Sequence, residues 1–180
     1  PSEGKLMTVQ NANRTFLNTG IRTEEAFNLQ MDVTFLSSGE EVQIIYQAQN
    51  SKSHYELVIR GGETNDIFIR RAEDSYYYNV EGPIKLPFPI EQNKDYHVEL
   101  RYDHGKMEVT IDGLPVISAS DQKYRSGTLA FSTNATTAYF DNLKVTRTLA
   151  SQKPVEVDME GEIFRINKTR SFGRERADVN

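Results

Sequence analysis

Apolar side chains recur at every second position along most of this chain, and no long window repeats with the 3.6-residue period of a helix. Alternation of that kind sends successive side chains to opposite faces of an extended backbone, so the chain is committed to sheets. The clearest pair is His97–Asp103 and Lys106–Asp112. Val98, Leu100 and Tyr102 share one face of the first segment, and Met107, Val109 and Ile111 share one face of the second. His104-Gly105 between them suits a tight hairpin turn, because glycine accepts positive φ without a Cβ clash. Asp112-Gly113 then turns into a short strand at Pro115–Ala119. Further strands are predicted at Phe27–Leu36, Val42–Gln49, His54–Arg60, Asp66–Arg71, Ser75–Val80, Gly127–Thr133 and Ala138–Thr146. Turn residues separate them at Ser37-Ser38-Gly39, Asn50–Ser53, Gly61-Gly62 and the proline-rich Gly82–Pro89. Helix is confined to single turns near Thr23–Ala26 or Ala119–Tyr124. The predicted fold is an all-β antiparallel sandwich of jelly-roll type.

A chain of 180 residues fits one such domain. Its formal charge of −5 argues against a nucleic-acid partner, and no run reaches the ~20 apolar residues of a membrane span. The absence of cysteine excludes disulfides and thiolate chemistry. The chain starts at Pro1 with no charged-then-apolar leader, which reads as a processed product or a piece of a longer protein. Composition shifts near Ser151: residues 1–152 hold 15 basic and 20 acidic side chains, and 153–180 hold 6 of each. We therefore divide the chain into a sandwich over 1–150 and a C-terminal extension over 151–180. The extension is expected to add strands at Val155–Met159 and Glu162–Asn167 before a frayed tail or linker.

The segments "FNLQMDVTF", "VQIIYQAQNSKSHYELVI", "YHVELRYDHGKMEVTIDGLPV" and "GTLAFSTNATTAYFDNLKV" occur in an order that resembles the concanavalin A-like lectin/glucanase superfamily. More narrowly they are similar to laminin-G-like and levan-binding carbohydrate modules, over about residues 14–147. The resemblance implies a noncatalytic, sugar-binding sandwich on a secreted protein, extracellular or periplasmic, beside other domains of a polysaccharide-active parent. The chain departs from many sugar-binding proteins in having no tryptophan.

Candidate ligand residues come from strand parity. Gln43, Gln47 and Gln49 share a face around Ile45; His54, Glu56 and Arg60 share one around Val58; Asp66 and Arg70 follow around Phe68; Tyr76 and Tyr78 lie on the next strand. Sugars call for bidentate polar partners and a flat ring, so the expected ligand set is Gln47, Glu56, Arg60, Arg70, Tyr76 and Tyr78. The same residues also read as an ordinary solvated sheet face. A third reading is a structural interaction domain without a sugar ligand.

A catalytic alternative rests on Glu156-Val157-Asp158-Met159-Glu160, which resembles the carboxylate strand of laminarinase-type retaining glycoside hydrolases. That resemblance implies Glu156 as nucleophile, Asp158 as its tuning partner and Glu160 as acid/base. Alternation puts the three carboxylates on one face, with the outer two Cα atoms ~13 Å apart. Against it, only 20 residues follow Glu160 and the motif comes after an apparently complete sandwich. His54, His97 and His104 show no metal-ligand spacing, so zinc is not expected. No cofactor is implied beyond a structural calcium at Asp141, beside Asn142. Three N-x-[ST] sequons occur, at Asn13, Asn134 and Asn167. The basic stretch Arg165–Arg176 reads as a solvated tail, or as a contact for an acidic glycan, a membrane surface or a partner subunit.

Overall fold

The computed structural model describes residues 6–8, 15–37, 41–149 and 152–159. In chain order its strands are β1 (Leu6–Thr8), β2 (Thr15–Thr23), β3 (Ala26–Phe35), β4 (Glu41–Asn50), β5 (Ser53–Arg60), β6 (Asp66–Glu73) and β7 (Tyr76–Lys85). They continue as β8 (Asp95–Asp103), β9 (Lys106–Ile111), β10 (Leu114–Ser120), β11 (Gly127–Asn134), β12 (Ala138–Leu149) and β13 (Gln152–Met159). Two antiparallel sheets form a sandwich. One runs β1-β12-β3-β8-β9-β10 with β13 also on β12, and the other runs β2-β11-β4-β5-β6-β7.

The turns follow their chemistry. His104 and Gly105 take φ of 49° and 90°, and Asp112 and Gly113 take 51° and 78°, the left-handed pair that a two-residue hairpin requires. A Cβ on Gly105 would lie 2.7 Å from the Asp121 carbonyl oxygen, so the site is closed to larger residues. No helix forms among the described residues. Thr23 ends β2, and Asp121 Oδ1 accepts the Lys123 amide at 2.9 Å, a side-chain turn where a helical one was expected. β7 runs on to Lys85, through the start of the proline-rich stretch read as a turn. β1 and β2 were not anticipated.

Between the sheets lies one core, built from the inward parities of β3, β4, β5, β6, β8 and β9. β8 and β9 alternate as a half-solvated sheet should, with Val98, Leu100, Met107 and Val109 inside and His97, Arg101, Lys106 and Glu108 outside. β4 and β5 do not alternate: nearly every position is buried, including the parity that faces away from the core. Ile45, Ala48 and Ala130 make a small second apolar cluster on that outward face.

Candidate functional site

The outward face of β4, β5, β6 and β7 carries a chain of alternating charges. Arg70 on β6 lies between two carboxylates: its Nε donates to Glu56 Oε2 at 2.5 Å, and its NH2 sits 3.8 Å from Glu41 Oε2. The other Glu56 oxygen is 2.7 Å from His54 Nε2, and Gln43 Nε2 donates to Glu41 Oε2 at 2.7 Å. Glu56 is 0% exposed, so its charge is sustained by Arg70 and His54 rather than by water. Arg60 is held separately. Its Nε and NH2 form two parallel bonds of 2.7 Å to the Asp66 carboxylate, the bidentate geometry that fixes a guanidinium plane.

Both guanidinium groups rest on aromatic rings. Arg60 Cζ lies 4.9 Å from the Phe68 centroid; Arg70 Cζ lies 5.5 Å from Phe68 and 4.5 Å from Tyr77. Cation–ring contact at these distances orders long side chains that would otherwise be mobile. The result is a preformed strip of Arg60, Phe68, Arg70 and Tyr77 across β5, β6 and β7.

The predicted residues divide on this geometry. Glu56, Arg60 and Arg70 come together. Gln47 does not join them: it is fully buried, with φ of 49°. Its amide is engaged by the Thr23 hydroxyl (2.8 Å), the Glu24 carbonyl (2.8 Å) and the Arg125 carbonyl (3.1 Å). The physical reason is a bulge in β4. Against β11 the pairing runs Ile45↔Ala130 and then Ala48↔Thr128, three steps against two, and the extra residue reverses the parity that alternation gives Gln47 and Gln49.

Tyr76 and Tyr78 are also off the strip. The β6–β7 hairpin turns at Asp74-Ser75 (φ of 50° and 73°), which pairs Ala72 with Tyr77 and Arg71 with Tyr78. Tyr77 therefore shares the face of Arg70, while Tyr78 lies under Arg71 on the opposite face, 5.4 Å from its Cζ. Treating Asp74-Ser75 as the two-residue turn would have found Tyr77 from sequence. Phe68, by parity an apolar interruption of the polar face, is the ring on which both arginines rest.

On that opposite face Asp121 ties the β10–β11 connection down. It accepts from the Tyr55 hydroxyl at 2.5 Å and from Arg71 NH1. Burial, together with the bond to Asp121, pushes the Tyr55 phenol well above the usual tyrosine range.

Glu156 and Asp158 belong to β13, on the other sheet, opposite Thr146 and Lys144 of β12. Glu160 and the predicted strand at Glu162–Asn167 lie outside the described residues, as do the basic stretch Arg165–Arg176 and the sequons at Asn13 and Asn167. At the proposed calcium position, Asp141 Oδ1 accepts the Asn142 amide at 2.8 Å, and Asn142 Nδ2 donates to Asp32 at 2.6 Å. These bonds span the register shift of β12 against β3, where Asn142 takes φ of 50°. The pair thus has a local structural task. Among the described residues no three His, Cys, Asp or Glu side chains gather as a metal site. No helix among them is long and apolar enough to cross a membrane.

No protein-family model matches the sequence, and a search of curated proteins finds no match. Solved structures do resemble it. The carbohydrate-binding module CBM66 from Bacillus subtilis superposes with a TM-score of 0.68 at 16% identity, covering 81% of this chain and 96% of that one. A Bacillus subtilis protein of unknown function with a galectin-like fold gives 0.61 at 14% identity, covering 78% and 80%. A putative glycosyl hydrolase from Parabacteroides distasonis gives 0.58 at 13% identity, covering 82% and 88%. At such identities the likeness is one of fold: a lectin-like β-sandwich.

Proposed function

We propose that this chain is a noncatalytic carbohydrate-binding domain that takes a glycan on the outward face of β5, β6 and β7. The observation that carries the reading is the strip of Arg60, Phe68, Arg70 and Tyr77, with both cations locked by carboxylates and laid on rings. Forked guanidinium donors match adjacent hydroxyl groups, and Tyr77 offers a half-exposed ring for the apolar face of a pyranose or furanose. Because the strip is ordered before any ligand arrives, little conformational entropy is lost on binding. The fold of a Bacillus subtilis carbohydrate-binding module supports the reading. So does the location of Glu156 and Asp158 on an outer strand of the other sheet, away from the strip. We further propose that the domain serves a larger secreted, polysaccharide-active protein, as the sequence resemblance implies.

The test is a glycan array followed by calorimetry. Affinity for the best glycan is expected in the micromolar to millimolar range, and Tyr77→Ala should weaken it about tenfold or more, the 1–3 kcal/mol of a lost ring contact. Arg60→Ala should do the same. Wild-type affinity in both variants would move the site elsewhere. Binding to no glycan would sink the reading. Release of reducing ends from a polysaccharide would establish the hydrolase instead.

A further inference from the structure

β7 closes one edge of its sheet: among the described residues it pairs only with β6. Edge strands normally carry devices against pairing with another chain, such as proline, bulges or charge. In β7 these devices are confined to its second half. Pro83 has no N–H to donate, Glu81 and Lys85 carry charge, and the register against β6 shifts twice between Ile67 and Arg70. The first half is in regular register and holds Tyr76, Tyr77, Tyr78 and Asn79, with no charge. The three rings are 72%, 46% and 49% exposed. Elsewhere β10, the edge of the other sheet on this side, is guarded by Pro115 and a bulge. Three consecutive exposed tyrosines on an unguarded edge have the form of an interface rather than of a protected rim.

We propose that Ser75–Asn79 pairs antiparallel with the same segment of a second copy of this chain, about a two-fold axis through Tyr77, so that the two outer sheets become one. A second copy is the occupant the residues favour. Antiparallel pairing places opposed residues on the same face, so Tyr77 meets Tyr77 on the outward face and Tyr76 meets Tyr78 twice on the other. Every tyrosine then faces a tyrosine, Ser75 faces Asn79, and no like charges are opposed. Arg70 lies over Tyr77 and Arg71 over Tyr78, so the central Tyr77 pair has a cation on both flanks and each Tyr76–Tyr78 pair has one. The four Tyr76 and Tyr78 rings remove about 400 Å² from water, the size of a weak, reversible association, and the outer faces of the two Tyr77 rings stay open to a ligand. Two copies of charge −5 repel, so the pairing strengthens with added salt.

Sedimentation of the full chain from about 1 to 500 µM, the window for an interface of this size, should show the 20.6 kDa monomer passing into a species of twice that mass. The midpoint should fall to lower concentration in higher salt. Tyr78→Lys, on an exposed position, should weaken association at least tenfold, and Leu114→Lys at the β9–β10 turn of the other sheet should leave it unchanged. The chain has no cysteine, so Tyr77→Cys should cross-link to itself under oxidation, while Leu114→Cys should not. A monomer throughout that range overturns the proposal. So does a dimer that Tyr78→Lys leaves intact, or one that weakens with salt as an interface of opposed charges would.

Discussion

Glu56 shows how much one residue's environment changes its meaning. In a sequence it is a polar residue on an alternating strand, and Arg70 is its expected surface partner. In the fold Glu56 has no contact with water, and the two oxygens are shared between Arg70 and His54. Removing one partner from a buried pair leaves an uncompensated charge, which costs about 3–5 kcal/mol. Arg70→Ala should therefore lower stability by about that amount in a denaturant titration, whatever it does to binding. Tyr77→Ala removes a half-exposed ring at the rim and should stay within about 1 kcal/mol of the wild type. The two variants thus separate the framework of the strip from its accessible surface. Equal stability in both would show that Glu56 draws little from Arg70.

At the scale of the element, alternation carried most of the fold and failed where strands depart from it. Alternation is clean in β3, β8 and β9, and in the other strands read from sequence the bounding turn residues carry the signal. The bulge at Gln47 was not legible, since one extra residue leaves no mark in composition and reverses every face beyond it. Its consequence is visible in packing. Gln47 turns inward to the loop ends at Glu24 and Arg125, and Gly127 of β11 comes so close that a Cβ there would lie 2.3 Å from the Gln47 carbonyl carbon. Gln47→Ala would strand the Thr23 hydroxyl and two carbonyl groups, at about 2 kcal/mol or more. Gly127→Ala cannot be absorbed without moving the β4 backbone, and should cost about 3 kcal/mol. Thermal melts of the two variants check this, and a wild-type melting temperature for Gly127→Ala would place the close approach in doubt. At the candidate site the two-residue turn at Asp74-Ser75 likewise shifts the face by one, so Tyr77 and not Tyr76 or Tyr78 lies beside Arg70.

For the whole molecule, the feature that composition could not locate is where the tyrosines sit. Of nine in the chain, Tyr46, Tyr55 and Tyr102 meet in the core, with ring centroids 5.5 to 6.4 Å apart. Each hydroxyl has a partner: Tyr46 donates to Met107 Sδ, Tyr55 to Asp121 and Tyr102 to the Tyr124 carbonyl. Burial disfavours the phenolate, so all three are held protonated: Tyr102 is pushed up to about 12, and Tyr46 and Tyr55 also rise. An acid whose folded pKa lies above its unfolded value contributes full stability below the unfolded value, near 10 for tyrosine. Above it the unfolded chain loses protons first, so stability falls as pH rises. By pH 12 the loss is roughly 2 kcal/mol for Tyr102 alone, and Tyr46 and Tyr55 add to it in the same direction. The domain should accordingly hold its melting temperature up to about pH 10 and unfold cooperatively between about 10 and 12. Phenolate absorbance at 295 nm should then rise in a step that coincides with the loss of strand signal in circular dichroism. Tyr46→Phe keeps the ring and removes one of the three ionisations, so it should move that midpoint upward. Smooth titration of all nine tyrosines near pH 10 with the strand signal intact would mean that these phenols are not buried together in the core.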